Sequence, residues 1–308
     1  MSLRAVKQII ETTPTIEGAG VKLQRAFGFG KTKEFDPFLL LDDFRNENPA
    51  DYLKGFPWHP HRGIETITYV LAGEVEHGDS LGNKGNKGKM GAGDVQWMTA
   101  GSGILHQEMP RGDKHGRMHG FQLWANLPAA LKMTDPRYQD IPAVAIPEVT
   151  EDDGTKARVI CGEFWGKEGP VNGVATESNV AARYVDISVP PGVRKRIKVE
   201  TSRNAFAYVF AGAGTFRDAS DPQAVLTESG VDPNAPPVYD AKNHSLVLFD
   251  RGDEIVVQAG PEGMRFLLVS GRPLEEPVAW YGPIVMNTQA ELRQAMSELQ
   301  SGKFIKHG

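Results

Sequence analysis

Two short motifs carry the chemistry legible in this chain. His59-Pro60-His61 sets two imidazoles two residues apart, and His106-Gln107-Glu108 sets an imidazole and a carboxylate at the same spacing. Residues two apart on a strand face the same side, so each pair can reach one cation. Together they offer three nitrogens and one oxygen, a set suited to a first-row divalent ion: Fe2+, Mn2+, Ni2+, Cu2+ or Zn2+. Without a thiolate the set does not read as a closed structural zinc site. A single His-x-His in a β-rich chain is more often structural. Here each of two such pairs adjoins a strand, and the turn Gly101-Ser102-Gly103 precedes the second, which favours a metal site.

Histidine supply points the same way. Of 8 histidines, six (His59, His61, His77, His106, His115 and His119) lie in the first half, and the second half holds only His244 and His307. His115 and His119, four apart in a Gly-containing segment, read as a solvated loop. His77 reads as a bystander with at most a place at a pocket mouth. Trp97, Met98, Phe121 and Trp124 read as barrel core rather than substrate wall, although some barrel positions must line any cavity.

The elements that must position these groups are strands. Ile64–Leu71 alternates and is rich in β-branched residues, Asp94–Thr99 lies between glycines, and Phe121–Leu127 follows. Asn83–Gly88 is a polar Gly/Asn loop. An internal repeat then appears. Tyr69-Val70-Leu71-Ala72-Gly73 recurs as Tyr208-Val209-Phe210-Ala211-Gly212, and Gly93–Gly101 recurs as Gly252–Gly260, in the same order. The repeat implies a duplicated β-domain, with a Pro/Asp/Ser-rich insertion at 218–237 in the second copy. It also serves as an internal control. Aligned on these matches, Lys198 and Glu200 stand where His59 and His61 do, and Arg265 and Leu267 stand where His106 and Glu108 do. The second copy is therefore expected to lack the metal site.

The chain divides as 1–134, a metal-binding domain; 135–154, a proline-containing acidic linker; and 155–308, a second domain. Within the linker, prolines at 142 and 147 oppose a central strand, and Leu131–Tyr138 reads as a turn or short helix. At the C-terminus, Thr288-Gln289-Ala290-Glu291 is a capping box. It leads a helix whose Leu292, Met296 and Leu299 form an apolar stripe for packing.

Composition bounds the partners. With 34 Gly and 21 Pro in 308 residues, the chain is dense in turns, as all-β proteins are. A formal charge of -5 argues against nucleic acid as a direct partner. The single cysteine, Cys161, excludes an internal disulfide and reads as a small buried apolar residue. No apolar run approaches the ~20 residues of a membrane span. The N-terminal stretch lacks the apolar core of a signal peptide, so a cytoplasmic location is expected.

At this point a family resemblance becomes specific. His59-Pro60-His61-Arg62-Gly63-Ile64-Glu65-Thr66 resembles the signature of the pirin family of the cupin superfamily, and Gly93–Pro110 resembles its second block. Gln122–Leu127 and Met286-Asn287-Thr288 also fit. The resemblance spans nearly the whole chain and is strongest over 55–140, while the insertion at 218–237 is longer than the pattern. It implies an all-β bicupin: two tandem jelly-roll-type barrels with a short C-terminal helix. It further implies a non-haem Fe2+ in the N-terminal domain, held by His59, His61, His106 and Glu108. In the general cupin pattern a Glu placed like Glu65 is often a ligand. In the pirin pattern the carboxylate follows the third histidine, which leaves Glu65 a supporting or structural role.

Some pirins cleave the flavonol quercetin as 2,3-dioxygenases, and others act as regulatory partners of proteins, transcription factors among them. The resemblance thus implies a dioxygenase in which Glu108 stays a ligand or takes the substrate hydroxyl proton. The alternative is a redox-dependent module that binds a protein partner; a cupin isomerase or a metal store ranks behind both. Expected partners are a small flavonol-like aromatic and O2, or a protein under the second reading. Neither nucleic acid nor a membrane is expected, and the chain is expected to act as a monomer. Access to the metal discriminates: an open pocket favours catalysis, a sealed site signalling.

Overall fold

Strand Ile64–Ala72 is buried over its first seven residues because both its edges are paired and both its faces are covered. Its β-branched residues suit such a central position. The structure, a computed structural model, describes residues 2–81, 87–177, 180–216 and 240–306. The insertion at 218–237, most of the Gly/Asn loop 83–88 and His307 lie outside the described residues.

The chain is all-β in character and forms two compact units. One gathers residues 12–147, 159–183 and 271–308; the other gathers 1–11, 148–158 and 184–270. The units therefore do not coincide with the chain halves 1–134 and 155–308. The first eleven residues belong with the second-half barrel, because Val6–Glu11 pairs with Ser245–Phe249. The last 38 belong with the first-half barrel.

The first unit contains two antiparallel sheets. A seven-stranded sheet runs in the order Arg137–Ile141, Val95–Thr99, Ile64–Ala72, His119–Asn126, Phe38–Asp43, Val21–Phe27, Thr13–Glu17. A four-stranded sheet runs Phe56–His61, Ile104–Arg111, Glu74–Asp79, Lys87–Met90. Phe56–His61 lies at a sheet edge, which tolerates Pro57 and Pro60 since an edge can forgo donors. Arg137–Ile141 corrects the sequence expectation of a linker. These residues pair with Val95–Thr99, Tyr138 opposite Met98, and their mixed polar composition is that of an edge strand rather than of a connector.

The second unit is built on a nine-stranded sheet. Its strands Asn204–Thr215 and Glu254–Gly271 are neighbours, as Ile64–Ala72 and Val95–Thr99 are in the first. These are the strands that carry the two halves of the sequence repeat. Among the described residues, no helix is long and apolar enough to cross a membrane.

The C-terminal helix spans Gln289–Gln300 with the expected capping box at Thr288 and Glu291. Leu292 and Ala295 are buried against Ala279, Ile284, Met286 and Phe304, with Met296 and Leu299 packed alongside. This segment is tied to the turn just after His61. Gly63 adopts φ +78°, and a Cβ there would overlap the Val285 carbonyl, so only glycine fits. The buried Lys132 ammonium donates to Gly63 O, Asn126 Oδ1 and Val285 O at 2.9, 2.7 and 3.1 Å. The buried Arg62 guanidinium donates to Glu298 Oε2 and to Phe304 O, both at 2.8 Å, and lies over the Phe304 ring.

Burial works to raise the Glu298 carboxyl, but Lys306, Arg62 and Gln294 outweigh it and bring it from 4.5 down to about 2. A depressed carboxylate adds stability above its unfolded value and loses it as pH falls through the folded one. Stability should therefore drop between pH 4.5 and about 2. Glu298→Gln should cost about 3 kcal/mol at pH 7, because Arg62 keeps its buried charge without a counterion. Its urea-unfolding free energy should then vary less over that acid range than the wild type's.

Candidate metal centre

His59 and His61 alternate onto one face of the edge strand, and strand Ile104–Arg111 lies beside it with His106 directly opposite His59. Three imidazoles thereby meet. His59 Nε2 is 3.0 Å from His61 Nε2 and 2.9 Å from His106 Nε2. Among the described residues these three form a group whose ligand atoms all lie within 4.8 Å of one another.

The protons at this junction show what it can hold. His59 Nδ1 is 2.8 Å from the Pro57 carbonyl, which can only accept. Nδ1 therefore carries a hydrogen, and Nε2 is the His59 nitrogen turned toward both neighbours. Burial, then the neighbouring imidazoles, push His61 and His106 well below the usual 6.5. Both are neutral, the form that binds metal. The Nε2 atoms of His61 and His106 both close on His59 Nε2, an arrangement that a shared cation would satisfy. Two nitrogens about 2.1 Å from one ion and at right angles stand about 3.0 Å apart, which matches the observed separations. The donor set fits a divalent first-row ion.

Glu108 sits beside this triad rather than in it. The ladder slips between His106 and Glu108, so that Glu108 pairs with Phe56 while His106 pairs with His59. The extra residue lies at Pro57-Trp58, a bulge of the kind that re-aims side chains at functional sites. The Glu108 carboxylate accepts from Thr68 Oγ1 at 3.0 Å. Burial raises its pKa, and His59, Thr68 and His77 pull it back only in part. His59, His61 and Glu108 line an open cavity of about 610 Å3 between the two sheets, with Leu40, Phe44 and Trp124 among its apolar walls. The Trp124 ring is 5.2 Å from that of His61.

The sequence model of the pirin family matches residues 20–125, and that of the pirin C-terminal cupin domain matches 184–305. A pirin-like protein of Caulobacter vibrioides is 43% identical over 305 residues, covering 99% of this chain and 100% of its own. The chain belongs to the pirin family. Among solved structures, the quercetin 2,3-dioxygenase of Acinetobacter baumannii superposes with a TM-score of 0.83 at 30% identity, covering 98% of this chain and 99% of that one. The pirin YhhW of Escherichia coli, solved in complex with nickel(II), shares the fold at TM-score 0.59 and 17% identity, over 86% of this chain and 98% of its own.

Against the pirin pattern, the remaining candidates fall into place by their contacts. Glu65 is not in the imidazole cluster. Its two oxygens accept from Thr99 Oγ1, Val174 N and Ala175 N at 2.5, 2.8 and 2.9 Å, which ties segment 173–175 to the sheet. His77 is buried rather than at a mouth. It lies opposite Glu108 on the next strand, with Tyr138 Oη 2.5 Å from its Nδ1. His115 is exposed, but His119 opens a strand and lies 3.7 Å from Asp43, so it is not loop. Trp97, Met98 and Phe121 are core, whereas Trp124 is cavity wall. Cys161 is buried with Sγ 3.1 Å from the Ala182 carbonyl. In the second unit, Arg265 forms a two-pronged pair with Asp186 at 2.9 and 2.6 Å.

Sequence reading missed Thr68, Gln122, Asp42 and Arg25, which line the same cavity. The available signal was an inward-facing polar residue in an apolar strand, as Asp42 is after Phe38-Leu39-Leu40-Leu41. The ligand assignment predicts that His59→Ala and His106→Ala each cut bound metal by about tenfold or more, while far-UV circular dichroism stays at the wild-type signal. Elemental analysis of the purified variants checks this, and unchanged metal content in both would show the assignment wrong.

Proposed function

We propose that this pirin is a non-haem iron dioxygenase that cleaves flavonols such as quercetin with O2. The ion would be held by His59, His61, His106 and Glu108 in the barrel that carries the His-x-His motif. The observation that carries the reading is the convergence of three imidazoles, two of which line a roomy apolar cavity. Three neutral imidazoles and one carboxylate leave a divalent ion a local charge of about +1. Bound there, the ion would supply Lewis acidity to a flavonol 3-hydroxyl and reactivity toward O2.

The protein's own groups do the rest. The cavity lies within the usual range of about 300–1,000 Å3 for small-molecule sites, and its apolar walls exclude water from a planar ring. Trp124 and Leu40 orient that ring. Glu108, buried and with its affinity for protons raised, is placed to accept the proton of the substrate hydroxyl. Thr68 holds it while it does so. A regulatory module would favour a sealed site beside a flat surface; the open cavity at His59, His61 and Glu108 supports catalysis instead. The buried lone thiol is in keeping with a cytoplasmic setting.

The test is to load the purified protein with Fe2+ under nitrogen, add quercetin, admit O2, and follow flavonol absorbance with O2 uptake. Loss of absorbance should require the metal. No loss beyond that of metal-free protein, with Fe2+, Mn2+, Ni2+ or Cu2+, would remove the reading.

A further inference from the structure

The floor of the cavity is crossed by a line of polar side chains. In the seven-stranded sheet Thr68 lies directly opposite Gln122, Gln122 opposite Asp42, and Asp42 opposite Arg25. Opposed residues share a face of the sheet, and all four line the cavity. Leu23, Leu40, Phe44 and Trp124, each two residues away along the same strands, line it too. A stripe one residue wide therefore runs between apolar bands. At one end Thr68 touches Glu108 of the facing sheet at 3.0 Å. At the other, Arg25 grips Asp42 through Nε and Nη2 at 2.8 and 2.7 Å and reaches Glu17 through Nη1 at 2.9 Å.

Polar groups buried on an apolar floor are costly unless bonded, and this stripe is bonded only in part. A carboxylate offers about four acceptor positions, and Arg25 occupies two of those on Asp42. Thr68 Oγ1 lies 2.5 Å from Gln122 Oε1, but its one hydroxyl hydrogen cannot serve both Gln122 and Glu108, so the Gln122 amide keeps bonding capacity on its oxygen and on its nitrogen. The spare capacity faces the cavity. It comprises acceptor positions on Asp42 and both donor and acceptor positions on Gln122, and a phenolic hydroxyl, donor and acceptor at once, can use either.

We propose that Asp42 and Gln122 are specificity-determining residues that bind ring hydroxyls of the flavonol remote from the one that meets the metal. The inference rests on the function proposed above and deepens it: the preferred ligand is polyhydroxylated, not merely planar and aromatic.

Zn2+-loaded protein, whose ion is redox-inert, is titrated under nitrogen with quercetin and with 3-hydroxyflavone. The two share the metal-facing hydroxyl and differ in the ring hydroxyls. The wild type should prefer quercetin by about tenfold or more. Asp42→Asn and Gln122→Leu, each checked by circular dichroism, should lose most of that preference, with 3-hydroxyflavone affinity held within about twofold. Two variants guard against one failing to fold. A wild type that binds both flavonols equally, or a preference unchanged in both variants, overturns this inference and leaves the function standing. Binding of neither flavonol overturns the proposed function and the inference together.

Discussion

Three imidazoles held nitrogen to nitrogen, two of them buried and kept neutral, are the constraint on which the first barrel turns. Such an arrangement is unfavourable alone, so the surrounding chain must impose it. Strand register places His106 against His59, and the Pro57 carbonyl fixes which His59 nitrogen carries hydrogen. Behind His61, Arg62 and the Gly63 turn are locked by the C-terminal helix and by Lys132. Breaking this frame would let the rings relax apart. A cation would find these nitrogens already gathered by strand register and by the bonds behind them, not gathered by the cation itself.

The cavity extends the same logic to the ligand. Apolar bands give affinity for a flat ring without direction, because burial of apolar area is indifferent to orientation. Direction has to come from few polar groups, and here they lie in one row set by antiparallel register. Glu108 stands where that row meets the imidazoles. Its offset from them, caused by the bulge at Pro57-Trp58, turns the carboxylate to the cavity beside His59 and His61.

Much of this was legible in the order of residues. His59, His61 and His106 declare themselves by spacing, and the repeat declares two barrels. The C-terminal helix was legible to its capping box. What could not be read is what depends on distant pairing. Asp42, Thr68 and Gln122 are separated by dozens of residues and become neighbours only through the ladder. Arg137–Ile141 resembled a connector because an edge strand carries little hydrophobic pattern. The exchange of terminal segments between the two units leaves no local trace, since each segment is ordinary strand or helix whichever barrel it joins.

That exchange has a consequence for how the first barrel holds together. Arg62, next to His61, is bonded to Glu298 and Phe304, 236 and 242 residues further along the chain. Contacts of such separation form only after the intervening chain has been brought together. The frame around the three histidines is therefore a late product of folding, and loosening the C-terminal helix would loosen the turn that follows His61.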